Sequence, residues 1–323
     1  MTAYLLRTDK LTKRYGRQLA LDQLDLSLQV GRVYGLVGSN GAGKTTFFKT
    51  IMGLARPTSG TLELLGQSGH GLARARRQVG LAIAPAFYPY LNARQNLLYA
   101  ARSLGRAIAA DGSHPDRTNR RAEIDNLIEL VGLGGVKKHF QAYSMGMKQR
   151  LAIARALLGH PRLIILDEPM NGLDPRGVHE LRDLIIRTNR TWQTSFIISS
   201  HMLAELNQVA TDFIFLEQGR LIDFISSDNL QNGAESLEQH YLGLVGGSAR
   251  TGPSQAAAQQ PNPLKARACP PFNWQANADL GNPNPLYRTD PTALEPLADG
   301  SAQPEQAPAG PLPSYYGNQV QYV

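Results

Sequence analysis

The run Gly38-Ser39-Asn40-Gly41-Ala42-Gly43-Lys44-Thr45 has the spacing G-x-x-x-x-G-K-[ST]. It lies between an apolar stretch, Val33–Val37, and a helical pattern over residues 45–54. Strand, glycine loop and helix in that order commit this part of the chain to a phosphate-binding turn on a parallel sheet. Glycines let backbone N–H groups converge on a phosphate without Cβ obstruction, and the helix N-terminus adds a partial positive charge. Lys44 is placed to reach the β- and γ-phosphates of a nucleotide, and the Thr45 hydroxyl to ligate Mg²⁺. With Thr46, the next residue of the helix, residues 38–46 form the candidate phosphate-binding set.

A second motif supplies acid groups. Leu163-Ile-Ile-Leu-Asp-Glu168 is an apolar strand ending in two carboxylates. A buried parallel strand delivers its C-terminal residues to the ligand edge of the sheet. Asp167 is placed to hold Mg²⁺, directly or through water, and Glu168 to polarise the attacking water as general base. His201 follows another apolar run, 196–198, at the same edge, where an imidazole can bond the γ-phosphate and position that water.

The remaining pattern is α/β. Leu24, Leu26, Leu28 and Val30 alternate with polar residues as a half-buried strand does, and residues 61–64 repeat this. Helical patterns cover 148–158 and 178–187, and 213–216 and 221–224 flank a hairpin turn at Glu217-Gln-Gly-Arg220. Strands alternating with helices imply a parallel sheet. Of the 20 prolines, 13 fall between Pro253 and Pro313, among Ala, Gln, Asn and Gly. No apolar period survives there, so residues 245–323 read as a Pro/Ala/Gln-rich disordered tail behind a folded domain, 1–244. The tail holds four basic and five acidic residues, so the folded part carries all the positive excess of a chain whose formal net charge is +7. No run approaches the roughly 18 apolar residues of a spanning helix, and the N-terminal apolar run is too short for a secretory signal. The single cysteine, Cys269, has no internal disulfide partner, which suits a reducing cytosol.

With these motifs, the chain resembles the nucleotide-binding subunit of ABC transporters over roughly residues 4–244. Tyr15, in Thr12-Lys-Arg-Tyr-Gly16, stands where that family stacks an aromatic on adenine. Tyr143-Ser-Met-Gly-Met147, then Lys148-Gln-Arg150, fills the signature slot, usually Leu-Ser-Gly-Gly-Gln. Asn171-Gly-Leu-Asp174 matches the family's D-loop, and His201 in Ser199-Ser-His201 its switch histidine. The resemblance implies a P-loop NTPase fold: a RecA-like parallel core, an antiparallel β subdomain, and an α-helical signature subdomain at roughly residues 85–159. It implies ATP and Mg²⁺ as ligands, and a head-to-tail homodimer in which Ser144 and Gly146 of one subunit face the γ-phosphate held by the other. Ser144 is also a good N-cap for the helix through 148–158, which frees backbone amides for an anion. A separate transmembrane permease is the implied partner, with this chain cytoplasmic, on the inner face of the membrane. Ser-x-Gly-Met-Lys-Gln-Arg, Phe87-Tyr-Pro-Tyr-Leu91 and Ala93-Arg-Gln-Asn-Leu97 are similar to exporters of the bacitracin and lantibiotic-resistance type.

One departure from the family stands out. No Gln or Glu occurs from Val79 to Arg94, where the family usually places one beside Mg²⁺. Either a backbone carbonyl or water fills that position, or hydrolysis is impaired. Phe87, Tyr88, Tyr90 and Leu91 form an apolar, aromatic cluster suited either to a partner's helix or to internal packing. The basic residues Arg117, Arg120 and Arg121, and Arg74, Arg76 and Arg77, read as solvated loops; no aromatic interleaves the former, so nucleic acid is not expected. A soluble ABC ATPase and an ATP-gated regulatory subunit with little turnover are the competing functions.

Overall fold

The computed structural model describes residues 4–83, 87–103, 117–227, 229 and 236–246. All of them lie in the first of the chain's two units, Met1–Phe272; the second, Asn273–Val323, lies outside them. The tail reading for 245–323 therefore falls almost wholly outside the described residues.

The chain opens with β1 (Tyr4–Tyr15) and β2 (Gln18–Gln29), antiparallel through the Gly16 turn. Leu21, Leu24, Leu26 and Leu28 of β2 are buried, as the alternation expects. Val30 is not part of the strand: it lies in the following turn, 40% exposed. β4 (Ser59–Leu64) pairs with β1, completing a three-stranded antiparallel sheet in the order β2-β1-β4.

The second sheet has six strands in the order β5-β6-β7-β3-β8-β9. β3 (Val33–Val37), β5 (Val79–Ala82), β6 (Leu163–Asp167), β7 (Ser195–Ser199) and β8 (Asp212–Glu217) run parallel. β9 (Arg220–Ser226) returns antiparallel to β8, the expected hairpin. β3 and β7 are buried throughout, which explains their unbroken apolar sequences.

Helices cover this sheet. On one side α1 (Lys44–Ile51) presses Phe47 and Phe48, both fully buried, against the leucines of the antiparallel sheet. Each such side chain contributes roughly 1.5–3 kcal/mol by leaving water. The expected extension of α1 to Leu54 fails. Gly53 has φ 74°, Leu54 is 70% exposed, and the last carbonyls are taken by Arg76, whose Nε donates to Ile51 O at 2.8 Å. Arg76, on α2 (Leu72–Arg76), is thus a helix cap rather than a solvated loop residue.

On the other side lie α3 (Ala93–Ser103), α4 (Arg117–Leu130) and α5 (Met145–Leu157), the helical group foreseen between residues 85 and 159. Arg117, Arg120 and Arg121 sit on α4, not in a loop; residues 104–116 before them lie outside the described residues. α6 (Pro175–Trp192) and the short α7 (Leu203–Asn207) pack near β7 and β3, and α8 (Leu237–Gly246) closes the described chain. The parallel core, antiparallel sheet and helical group correspond to the fold class expected from sequence. No helix among the described residues is long and apolar enough to cross a membrane.

Candidate functional site

The phosphate loop is shaped from outside as well as by its own glycines. Gly43 caps α1 with φ 106°, and a Cβ there would lie 2.5 Å from the carbonyl oxygen of Ala20. A Cβ on Gly38 would lie 2.2 Å from Leu216 O. The β8–β9 hairpin holds the loop by two further links: Gly219 N–H donates to Ala42 O at 2.9 Å, and Glu217 Oε1 accepts the Ser39 hydroxyl at 2.8 Å. Lys44 is almost fully buried, and its ammonium donates to Gly38 O (2.6 Å) and Ser39 O (3.0 Å) within its own loop. Asn40 and Gly41 are exposed at the loop's tip, Ala42 is buried beneath it, and Thr46 is half-buried on the first turn of α1.

Parallel strands bring the acids to this loop. Thr45 Oγ1 donates to Asp167 Oδ2 at 3.1 Å. Asp167 Oδ1 accepts the Ser199 hydroxyl at 2.6 Å, and that hydroxyl accepts the Glu168 amide at 2.9 Å. Glu168 Oε2 then meets His201 twice, at 3.2 Å through the backbone amide and at 2.8 Å through Nδ1. A carboxylate only accepts, so Nδ1 carries the proton in this pair. Glu168 itself has φ 50°. A non-glycine residue is held in that left-handed region only where its surroundings dictate it, most often at a functional site. Lys44, Thr45, Asp167, Glu168 and His201 are thereby assembled at one edge of the sheet.

Ser144, Gly146 and Asp174 form a different group. Ser144 is the N-cap of α5, accepting the Met147 amide at 3.3 Å. Asp174 caps α6, accepting the Gly177 amide at 2.8 Å. A Cβ on Gly146 would touch Leu173 at 3.4 Å, and one on Gly172 would crowd Met145 at 2.8 Å, so the signature and D-loop segments abut. Among the described residues, no hydrogen bond or ion pair joins this group to the phosphate loop. Tyr15 ends β1 with its ring 47% exposed and the Lys13 ammonium 4.7 Å from the ring centroid.

The aromatic cluster divides. Phe87 packs inward on Phe140, ring centroids 4.9 Å apart, and the Arg155 guanidinium lies 5.8 Å from its ring centroid. Tyr88 and Tyr90 face outward, and Tyr88 meets Tyr99 edge-on at 4.5 Å. The turn carrying them is pinned by the buried amide of Asn96, which bonds Tyr88 N, Tyr88 O and Leu91 O. The segment at which the family's Gln or Glu is absent is described only to Ile83 and again from Phe87; residues 84–86 lie outside.

Sequence reasoning gave no role to Ser199, Glu217 or Asn96. Ser199 carries a signal in retrospect: the runs 163–166 and 196–198 each end in an oxygen-bearing residue, and parallel pairing sets Asp167 opposite Ser199. The hairpin carrying Glu217 is legible, but its bond to Ser39, 178 positions away, is not. The Asn96 amide closes a turn by bonds to Tyr88 and Leu91 that no residue pattern marks.

Comparison with known proteins agrees with this architecture. A family model described as ABC transporter matches residues 21–171. A bacitracin transport ATP-binding protein of Bacillus licheniformis is 40% identical over 230 residues, 70% of this chain and 71% of that protein. A lantibiotic transport ATP-binding protein of Streptococcus pyogenes is 37% identical over 238 residues, 73% of this chain and 95% of that protein. Among solved structures, the ATP-binding subunit of an ABC transporter superposes with TM-score 0.64 at 27% identity, covering 75% of this chain and 99% of the other. The chain belongs to the ABC transporter family, as one of its ATP-binding subunits.

Proposed function

We propose that this chain hydrolyses ATP to drive an exporter whose membrane-spanning part is a separate permease. The observation that carries the reading is the hydrogen-bonded series Thr45–Asp167–Ser199–Glu168–His201 beside the phosphate loop. Lys44 exchanges its two loop carbonyls for the β- and γ-phosphate oxygens when nucleotide enters. The amides of residues 41–46 receive the phosphates, and Tyr15 offers its exposed ring to the adenine.

Thr45 Oγ1 and Asp167 Oδ2 are hard oxygen donors side by side, which suits Mg²⁺, an ion that keeps waters and phosphate oxygens as its other ligands. Bound there, Mg²⁺ would neutralise charge on the β- and γ-phosphates. Glu168 takes a proton from the attacking water; the water oxygen bonds to the γ-phosphorus, and the bond to the β–γ bridging oxygen breaks as ADP leaves. With its Nδ1–H given to Glu168, the neutral His201 ring presents Nε2 as an acceptor to the attacking water; only with both nitrogens protonated does Nε2–H donate to a γ-phosphate oxygen.

The reading extends to a homodimer in which Ser144 and Gly146, at the N-terminus of α5, meet the γ-phosphate held by the second copy. Asp174 holds the adjoining segment by capping α6. Tyr88, Tyr90 and Tyr99 offer the permease an aromatic surface, and on this reading the chain works at the inner face of the membrane. The bacitracin and lantibiotic names of the relatives support export of a peptide antibiotic.

The test compares wild type with Lys44→Ala, with and without membranes carrying a candidate permease. Wild type should turn over ATP, faster with the permease, and Lys44→Ala should lose ATP binding or turnover. Wild-type turnover in Lys44→Ala would remove the phosphate loop from the reaction. ATP binding with negligible turnover in both preparations would instead favour an ATP-gated subunit, the reading motivated by the missing Gln or Glu.

A further inference from the structure

Ser199 ends β7 and is fully buried, its backbone paired with Asp167 across the parallel ladder. A hydroxyl has one proton to give. Ser199 gives it to Asp167 Oδ1 at 2.6 Å, which turns a lone pair toward the Glu168 amide, 2.9 Å away. That amide also reaches the Ser199 carbonyl oxygen at 3.2 Å, so its N–H is shared between two atoms of one residue. Asp167 is consequently fixed at both oxygens, by Ser199 on Oδ1 and by Thr45 on Oδ2. Glu168 is fixed at its backbone by Ser199 and at its side chain by His201.

We propose that Ser199 is the positioning residue of this site: its one hydroxyl orients Asp167 toward Thr45 and holds Glu168 in the left-handed conformation that sets its carboxylate against His201. The proposal rests on the reading of Asp167 as a metal ligand and Glu168 as the base. Without the hydroxyl, Asp167 Oδ1 loses its donor and the carboxylate can rotate away from Thr45. The Glu168 amide keeps only the longer carbonyl contact, too little to hold a residue at φ 50°. The Ser199 hydroxyl bonds Asp167 and the Glu168 amide, so its effect passes through the two acids. Residues that orient a metal's ligands typically change metal affinity or activity by about 10–100-fold when removed.

The test uses the full chain with Ser199→Ala, Ser199→Thr and Glu168→Gln. Affinity for a fluorescent ATP analogue is measured with Mg²⁺ and with EDTA, alongside kcat and the melting temperature. Ser199→Ala should keep its EDTA affinity within about twofold of wild type. The ratio of Mg²⁺ to EDTA affinity should fall about tenfold, and kcat about tenfold or more. Ser199→Thr, which retains the hydroxyl, should restore both. If Ser199→Ala does not fold, Ser199→Cys keeps the volume with a much weaker donor and carries the same comparison. A wild-type affinity ratio and kcat in Ser199→Ala overturn the proposal. So does an equal loss of affinity with and without Mg²⁺, or a Thr variant that melts normally yet behaves like Ala. Glu168→Gln separates the two readings. Wild-type turnover in that variant dismisses the base assignment, whereas an inactive Glu168→Gln beside an unaffected Ser199→Ala dismisses only the role of Ser199.

Discussion

Glu217 accepts two hydrogen bonds from Ser39, from its hydroxyl at 2.8 Å and its backbone amide at 3.4 Å. The carboxylate stands at the end of β8 and the serine in the phosphate loop, so the hairpin β8–β9 serves as the loop's outer wall. Leu216 O closes the same wall against Gly38, and Gly219 N–H holds Ala42. A loop held this way meets its ligand with little conformational entropy left to lose.

The wall predicts a cost for Gly38→Ala. Its Cβ would sit 2.2 Å from Leu216 O, a backbone atom that cannot swing aside. Loop or hairpin must move, at about 1–3 kcal/mol by analogy with overpacked cores. Thermal unfolding should drop by several degrees and ATP affinity by about tenfold, measured by scanning fluorimetry and nucleotide titration. Wild-type values for both would show that the contact is slack.

The alkaline limit of stability should depend on Tyr34. Burial first, then the nearby Asp212 carboxylate, pushes this phenol well above its ordinary value of 10, against the bond to the Gln29 carbonyl and the Arg32 charge. The unfolded chain releases this proton near pH 10 while the folded chain keeps it. The contribution is therefore complete below pH 10 and drains away as pH rises through and beyond that value. Tyr34→Phe should flatten this alkaline slope. It should also cost about 1–3 kcal/mol at neutral pH, because the Gln29 amide loses its 2.7 Å acceptor. Urea unfolding at pH 8 and above pH 10 measures both; an unchanged slope would rule the phenol out.

Truncation should separate the contribution of α8 from that of residues 247–323. Leu237 is buried, His240 Nε2 lies 2.8 Å from Asp223 Oδ2, and the Tyr241 ring stacks on Phe215 at 6.3 Å. A chain ending at Gly246 keeps these contacts, and nothing in the composition of 247–323 supplies an apolar face to lose. It should melt within about 2 °C of full length, whereas a chain ending at Ser236 should melt about 5 °C lower or more. Equal melting of the two truncated chains would show that α8 adds nothing.

The parts of the fold that are legible in the sequence share one property: their signal is local. The runs at Val33–Val37 and Leu163–Asp167 are apolar because both faces of the strand are covered, and the phosphate loop announces itself by glycine spacing. The end of α1 carries a local sign in Gly53, whose φ of 74° turns the chain out of the helix. The partner of the last carbonyl, Arg76 on Ile51 O, lies 25 positions downstream and is not legible. Arg76 itself reads as solvated because a guanidinium spent on a helix C-terminus has the same sequence signature as one in water. Lys44, Thr45, Asp167, Glu168 and His201 are legible as residues but not as a bonded series. The link between them, Ser199, depends on the β6–β7 register, and Glu217 on the closing of a hairpin over the loop.

The most direct measurement is Glu168→Gln, which keeps shape and hydrogen bonding but cannot accept the water's proton at neutral pH. Hydrolysis should fall by about 10²-fold or more, while ATP still binds through Lys44, Thr45 and Asp167. With closure intact and turnover blocked, size-exclusion chromatography should show a dimer in ATP and a monomer in ADP. Turnover equal to wild type, or a variant that binds ATP and remains monomeric at high concentration, would contradict the account.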